Sequence, residues 1–181
     1  MSDVITVNRN DDLWQVILNR PDKANALTSA MLNALADIAA DARDARALIL
    51  SGAGKVFSAG ADLGDVGAGL ATDPAWERLS GNIAQINGLT IAALNGTVAG
   101  GAHGMVLACD LRVAVASTKF FYPVMKIGVM PQPSDVTRMT KLIGPARTKL
   151  ILLAGQKVLA SSAQNWGLVD AIVDPDALIQ T

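Results

Sequence analysis

The chain of 181 residues contains one Cys (Cys109), one His (His103) and, among 16 acidic residues, one Glu (Glu77). Each scarcity excludes something. A lone Cys cannot form a disulfide within the chain and fits a reducing compartment. One His and one Cys cannot build a metal site from several such ligands. One Glu cannot serve a mechanism that needs two. No run of about 18 apolar residues marks a membrane-spanning helix, and the opening MSDVITVNRNDD lacks an apolar signal region. A cytoplasmic protein is expected. The formal charge of −1 gives no electrostatic reason to expect a nucleic-acid or membrane-surface partner.

What is present is apolar and small. Hydrophobic residues reach 51%, charged residues only 17% and aromatics 4%, with 16 Gly. This composition is that of a folded chain with close backbone packing, and with so few charges some surface is expected to meet partner subunits. Val4–Val7 and Leu13–Leu18 read as a hairpin. Thr28 is placed to cap a helix with Leu27, Met31, Leu35 and Ile38 along its apolar side. Ala47–Leu50 and Thr90–Leu94 read as buried strands. The helix after Asp73-Pro74 carries Trp76, Leu79, Ile83 and Ile86 on one side and is expected to end at Gly88. An apolar helix is expected from Gly101 to about Cys109, then a strand at Leu111–Val115 and a short one at Phe120. Helices are expected at Ser134–Ile143, Ala146–Ala154 and Ser161–Trp166, with a last strand at Val169–Val173. The alternation implies α/β with a buried, largely parallel sheet. Asp174-Pro175-Asp176 announces another helix, with an N-cap acid and Pro at the first position.

Three catalytic motifs fail. Ser51-Gly52-Ala53-Gly54-Lys55 lacks the outer Gly and the Ser/Thr of a phosphate loop. Val56-Phe57-Ser58-Ala59-Gly60 lacks the first Gly of a nucleophile elbow, and a Ser58–His103 pair has little to support it. Gly100-Gly101-Ala102-His103-Gly104 is not G-x-G-x-x-G. Two Gly-rich turns remain, Phe57–Leu63 and Asn95–Gly101, each expected at the end of a buried strand. Small residues there let a ligand approach the backbone, and one N–H from each turn would clamp a carbonyl oxygen. The competing reading is that these Gly residues only permit tight turns.

The set Asn19-Arg20-Pro21…Asn25-Ala26-Leu27, Phe57-Ser58-Ala59-Gly60-Ala61-Asp62-Leu63, Asn95-Gly96…Ala99-Gly100-Gly101, Cys109-Asp110-Leu111-Arg112-Val113-Ala114 and Ala163…Gly167-Leu168-Val169 resembles the crotonase (enoyl-CoA hydratase/isomerase) superfamily. The resemblance implies a spiral of ββα units, assembly as a homotrimer or hexamer, and an acyl-CoA thioester as partner. Coenzyme A enters as part of the substrate, with no separate cofactor. Carried over by position, the oxyanion donors are the N–H groups of Ala61 and Gly101. CoA lies across Lys23 and Ala24 and along Ala59, Ala61 and Leu63. Residues 1–173 form the spiral core, and 174–181 begin a truncated C-terminal helical segment.

The departures fall on the acids. The two positions where the hydratases carry catalytic Glu hold Gly104 and Val124, so hydration or isomerisation through those positions loses its general acid and base, typically about 10²–10⁴-fold each. Asp135 is the candidate replacement, in a segment where some family members place a catalytic acid. Asp62 and Asp65 follow the first turn, Asp62 with a structural role. His103 reads as a packed helix residue, Cys109 as a small buried hydrophobe, Glu77 as a solvated helix charge, and Asp110 as a brace for its turn. Tyr122 is equally consistent with packing and with donating a hydrogen bond in the pocket. The two functional readings are an enzyme that uses the oxyanion hole with Asp135, and an acyl-CoA carrier or sensor that has lost the acids.

Overall fold

The computed structural model describes residues 4–67 and 69–180; Met1–Asp3 of the expected core and Thr181 of the expected C-terminal segment lie outside them. The chain opens with β1 (Ile5–Asn10) and β2 (Leu13–Leu18), paired antiparallel about a tight Asp11-Asp12 turn in which Asp11 takes φ 49°. Helix α1 (Ser29–Asp41) follows, and Thr28 Oγ1 accepts from the Met31 N–H at 3.2 Å, the expected cap. Met31 and Leu35 are buried, so the apolar side faces the core as its spacing requires.

Three turns of a repeating unit come next. In the first, β3 (Ala47–Gly52) leads into a short strand β4 (Val56–Ser58) and then α2 (Leu63–Val66) and α3 (Ala75–Ile83). In the second, β5 (Leu89–Leu94) leads into β6 (Thr97–Ala99) and α4 (His103–Ala108). In the third, β7 (Leu111–Val115) leads into β8 (Lys119–Phe121), α5 (Val124–Ile127) and α6 (Pro133–Leu152). The chain then passes through β9 (Val158–Leu159), α7 (Ala160–Trp166) and β10 (Ala171–Val173).

The five longer strands and β10 form a six-stranded sheet in the order β1-β2-β3-β5-β7-β10, parallel apart from the β1–β2 hairpin. The short strands form a second sheet, β4-β6-β8-β9, parallel from β4 to β8. This is the expected spiral of ββα units. The second sheet changes the sequence reading. Asn95 follows β5 as expected, but Thr97–Ala99 within that segment forms β6, and Phe57–Leu63 begins in β4 rather than at the end of β3, so both turns leave adjacent strands of the small sheet. Leu32, Phe57, Ile83, Leu94 and Phe120 are fully enclosed in the core between the sheets and helices.

Several boundaries move for local reasons. Helix α3 starts where Asp73 accepts the Ala75 N–H at 2.9 Å but ends at Ile83, so Ile86 lies beyond it. Helix α6 contains Gly144 at φ 78°, ψ 163°, followed by Pro145, which divides it into the two helices that the sequence spacing suggests. The expected C-terminal helix is a single 3-10 turn at Pro175–Ala177, and the Asp174 side chain makes no capping bond. Leu178 packs beside Ala93 and Val115. Among the described residues, no helix is long and apolar enough to cross a membrane.

Candidate active site

The two Gly turns meet. Gly60 has φ 87°, and a Cβ there would stand 2.7 Å from the Ala99 carbonyl oxygen, so only Gly permits both the conformation and the approach. Behind the first turn, Asn25 is fully buried. Its Nδ2 donates to the Ala53 and Val56 carbonyls at 2.9 and 2.7 Å, and its Oδ1 accepts from the Arg20 N–H at 2.8 Å. Ser58 Oγ donates to Asn25 O and accepts from the Gly60 N–H, which ties the Ser to the turn and leaves no Ser58–His103 pair. Asp62 accepts from the Gly64 N–H and from Arg20 at 3.0 Å each, and these bonds hold its carboxyl below the usual range. Its role is structural, as expected.

The local pairing leaves two amides without a backbone partner. Leu27 and Ala61 form a parallel bridge in which Leu27 N–H donates to Gly60 O and Asp62 N–H donates to Leu27 O, which passes over the Ala61 amide. Gly101 lies in the first turn of the helical segment that opens at Gly100, where an N–H has no carbonyl one turn back. Both residues line one cavity of about 230 Å³. Its walls also include Ala59, Leu63, Trp76, Phe121, Tyr122, Val124 and Met130. A Cβ on Gly101 would lie 2.9 Å from the Trp76 ring, which is itself held by an indole N–H bond to Leu70 O at 2.7 Å. Lys23 and Ala24 are not part of this wall. They sit on the adjoining loop, which is joined to it by the Ala59 N–H bond to Ala24 O at 2.9 Å.

Gly104 and Val124 offer no proton-transfer group, and Val124 is an apolar part of the wall. Asp135 is fully buried in the first turn of α6, and its carboxyl packs on Gly104: a Cβ at Gly104 would lie 3.0 Å from Asp135 Oδ1. Asp135 Oδ1 has no partner among the described residues, while Oδ2 accepts from the Tyr122 hydroxyl at 2.8 Å. Burial pushes the Asp135 carboxyl up to about 7, against the opposing effect of the Tyr122 bond. Asp135 itself is not in the cavity wall; Tyr122 is.

The neighbours complete the picture. His103 is fully buried and stacks on Tyr122 with ring centroids 5.0 Å apart. Its Nδ1 lies 2.9 Å from Gly100 O, and burial lowers it to about 4, so it is neutral at pH 7. Cys109 is buried, and burial raises its thiol to about 12, leaving it a small core residue. Asp110 braces its turn through Thr90, accepting from both the Thr90 N–H and Oγ1 at 2.8 Å. Glu77 is a correction. It is not simply solvated: its Oε1 accepts the Ser134 N–H at 3.0 Å and caps the start of α6. No sequence signal pointed to that bond, because its partners are remote in the chain.

The enoyl-CoA hydratase/isomerase family model matches residues 8–181. A Mycobacterium leprae protein named "Probable enoyl-CoA hydratase" is 33% identical over 98% of this chain and 71% of its own length. The carnitinyl-CoA dehydratase of Salmonella arizonae is 32% identical over all of this chain and 72% of its own. Among solved structures, an enoyl-CoA hydratase/isomerase from Pseudoalteromonas atlantica superposes with a TM-score of 0.90 at 28% identity, covering 98% of this chain and 73% of that one. The enoyl-CoA hydratase of Bacillus anthracis gives 0.87 at 30% identity, with 98% and 73% covered. The chain belongs to the enoyl-CoA hydratase/isomerase (crotonase) family.

Proposed function

We propose that the protein binds acyl-CoA thioesters in the Ala61–Gly101 cavity and stabilises the enolate formed at the carbon next to the thioester. What supports this is that Ala61 and Gly101, whose amides have no partner in the local pairing, both line one largely apolar cavity. Enolate formation moves negative charge onto the thioester oxygen, and preorganised N–H donors stabilise that charge more than they stabilise the neutral carbonyl. CoA lies across Lys23 and Ala24 and along Ala59, Ala61 and Leu63. Leu63 is 88% exposed at the rim, in keeping with an apolar contact for a bound ligand. Asp135 supplies the acid/base function missing from Gly104 and Val124. The exposed Leu150, Leu153 and Leu159 support assembly as a homotrimer or hexamer.

A second reading is favoured by the apolar Val124 in the wall: a carrier or sensor that binds acyl-CoA without turning it over. Calorimetric titration with butyryl-CoA, with crotonyl-CoA turnover followed in parallel, separates the two. Binding that Ala61→Pro weakens, together with product formation, supports the enzyme. Binding without product supports the carrier. No binding overturns both.

A further inference from the structure

Asp135 is well placed as an acid except in one respect: it does not reach the cavity. Tyr122 does. Its ring is held by stacking on His103 at an interplanar angle of 12°, and its hydroxyl is joined to Asp135 Oδ2. Of the other groups near Asp135, Glu77 and Arg138 are bonded elsewhere, while His103 Nε2 has no partner among the described residues. Glu77, from α3, accepts the Ser134 N–H, and Arg138, from α6 itself, donates to Ser134 Oγ and Ser80 O. His103, from α4, is neutral. The cavity wall around Tyr122 continues with the apolar Phe121, Pro123, Val124, Val129 and Met130 and with Gln132, whose side-chain amide donates to Ala71 O at 3.2 Å.

We infer that Tyr122 is the catalytic residue that moves a proton to and from the α-carbon of a bound thioester, with Asp135 behind it as the positioning residue that takes up the Tyr122 proton. This rests on the acyl-CoA reading above and adds the group through which the acid acts. In the forward step the α-C–H bond breaks. Its proton passes to Tyr122 Oη as the phenolic proton passes to Asp135 Oδ2. The C–H electron pair becomes the enolate double bond, and one negative charge moves from the Asp135 carboxylate to the thioester oxygen. The reverse step returns a proton to carbon and restores the carboxylate, so no other reactant is required, and a relay proton that exchanges with solvent before that return leaves a solvent proton on carbon. The hydrogen bond in the structure, phenol donating to carboxylate, is the state ready to accept the substrate proton. A free phenolate never accumulates, which fits a phenol that burial and the nearby carboxylate push well above its ordinary value. One base surrounded by largely apolar walls suits reactions in which a single proton is removed and returned.

The test uses butyryl-CoA in D₂O, with loss of the α-proton signal followed by NMR and binding measured by calorimetry. Wild type is expected to bind and to exchange. Tyr122→Phe should bind within about twofold of wild type and exchange at least about 100-fold more slowly. Wild-type exchange should rise with pH through about 7 as Asp135 ionises, and Asp135→Asn, which keeps the side-chain shape, should abolish that rise. Two results would overturn the inference while leaving the binding reading intact: wild-type binding without exchange, or Tyr122→Phe exchanging at the wild-type rate. Failure of wild type to bind butyryl-CoA would overturn both.

Discussion

The carboxyl of Asp135 fills the space that a side chain at Gly104 would need, with Oδ1 3.0 Å from where a Cβ would sit. The two positions are complementary: one helix lacks a side chain where the other sends an acid. Gly104→Ala is therefore expected to displace Asp135 and cost about 1–3 kcal/mol in stability, as overpacking typically does. Gly104→Glu should cost more, because it sets a second carboxylate against a buried one. Adding Asp135→Ala to Gly104→Glu should recover part of the loss. Urea unfolding of wild type, Gly104→Glu, Asp135→Ala and the double variant gives the coupling, and strictly additive losses would show that the two side chains do not compete for the space.

Asp135 also makes stability depend on pH. Its carboxyl lies at about 7 in the folded protein, above the ordinary 3.8. Between those values the folded state holds the proton more tightly than the unfolded chain, so this group's contribution falls as pH rises from about 4 to about 7. Asp135→Asn removes that dependence. The variant should gain on wild type by roughly 2–4 kcal/mol over this window. His103, at about 4 when folded, acts in the opposite sense. It loses stability as pH falls from about 6.5 to about 4, in both proteins. Chemical denaturation at pH 4, 5.5 and 8 measures the difference, and a constant gap between the two proteins would contradict it.

Gly101 is expected to tolerate no side chain. A Cβ would press on the Trp76 ring at 2.9–3.1 Å, and the indole is anchored to Leu70 O. Gly101→Ala should shift Trp76 into the cavity and weaken butyryl-CoA binding at least about tenfold, while the melting temperature falls by only a few degrees. Unchanged affinity in calorimetry would show that the ring yields elsewhere.

Asn25 should be costly to replace for a different reason. Asn25→Ala removes three hydrogen bonds and leaves the Ala53 and Val56 carbonyls and the Arg20 N–H short of a partner. Asn25 also sits at φ 53°, which Ala adopts less readily. A loss of about 2–4 kcal/mol is expected, measured by urea unfolding.

Much of the frame was legible in the chain because its signals are local. Thr28 announces α1 by a cap three residues long, and the apolar run Leu13–Leu18 after the Asn8–Asp12 turn cluster announces β2. Gly144-Pro145 marks the break in α6. Of the small sheet, only β8 at Phe120 was legible. Val56–Ser58 and Thr97–Ala99 are three-residue strands set among Gly, too short to show a period, and it is pairing with each other, and of Thr97–Ala99 with β8, that makes them strands. The amides of Ala61 and Gly101 were reachable through the family resemblance, and the local pairing supplies the physical reason each is unpaired. The role of Glu77 and the meeting of Asp135 with Gly104 and Tyr122 depend on helices brought together by the spiral, which no window of sequence records.

The pairing of Leu27 with Ala61 has a consequence for how such a site varies over time. The amide that it leaves over belongs to the backbone, so its chemistry is indifferent to which side chain stands at position 61, Pro excepted. An alanine scan through Phe57–Leu63 would pass over this donor without registering it. Drift in residue identity can therefore be extensive while the donor persists, and what selection holds constant there is the path of the chain rather than any letter in it.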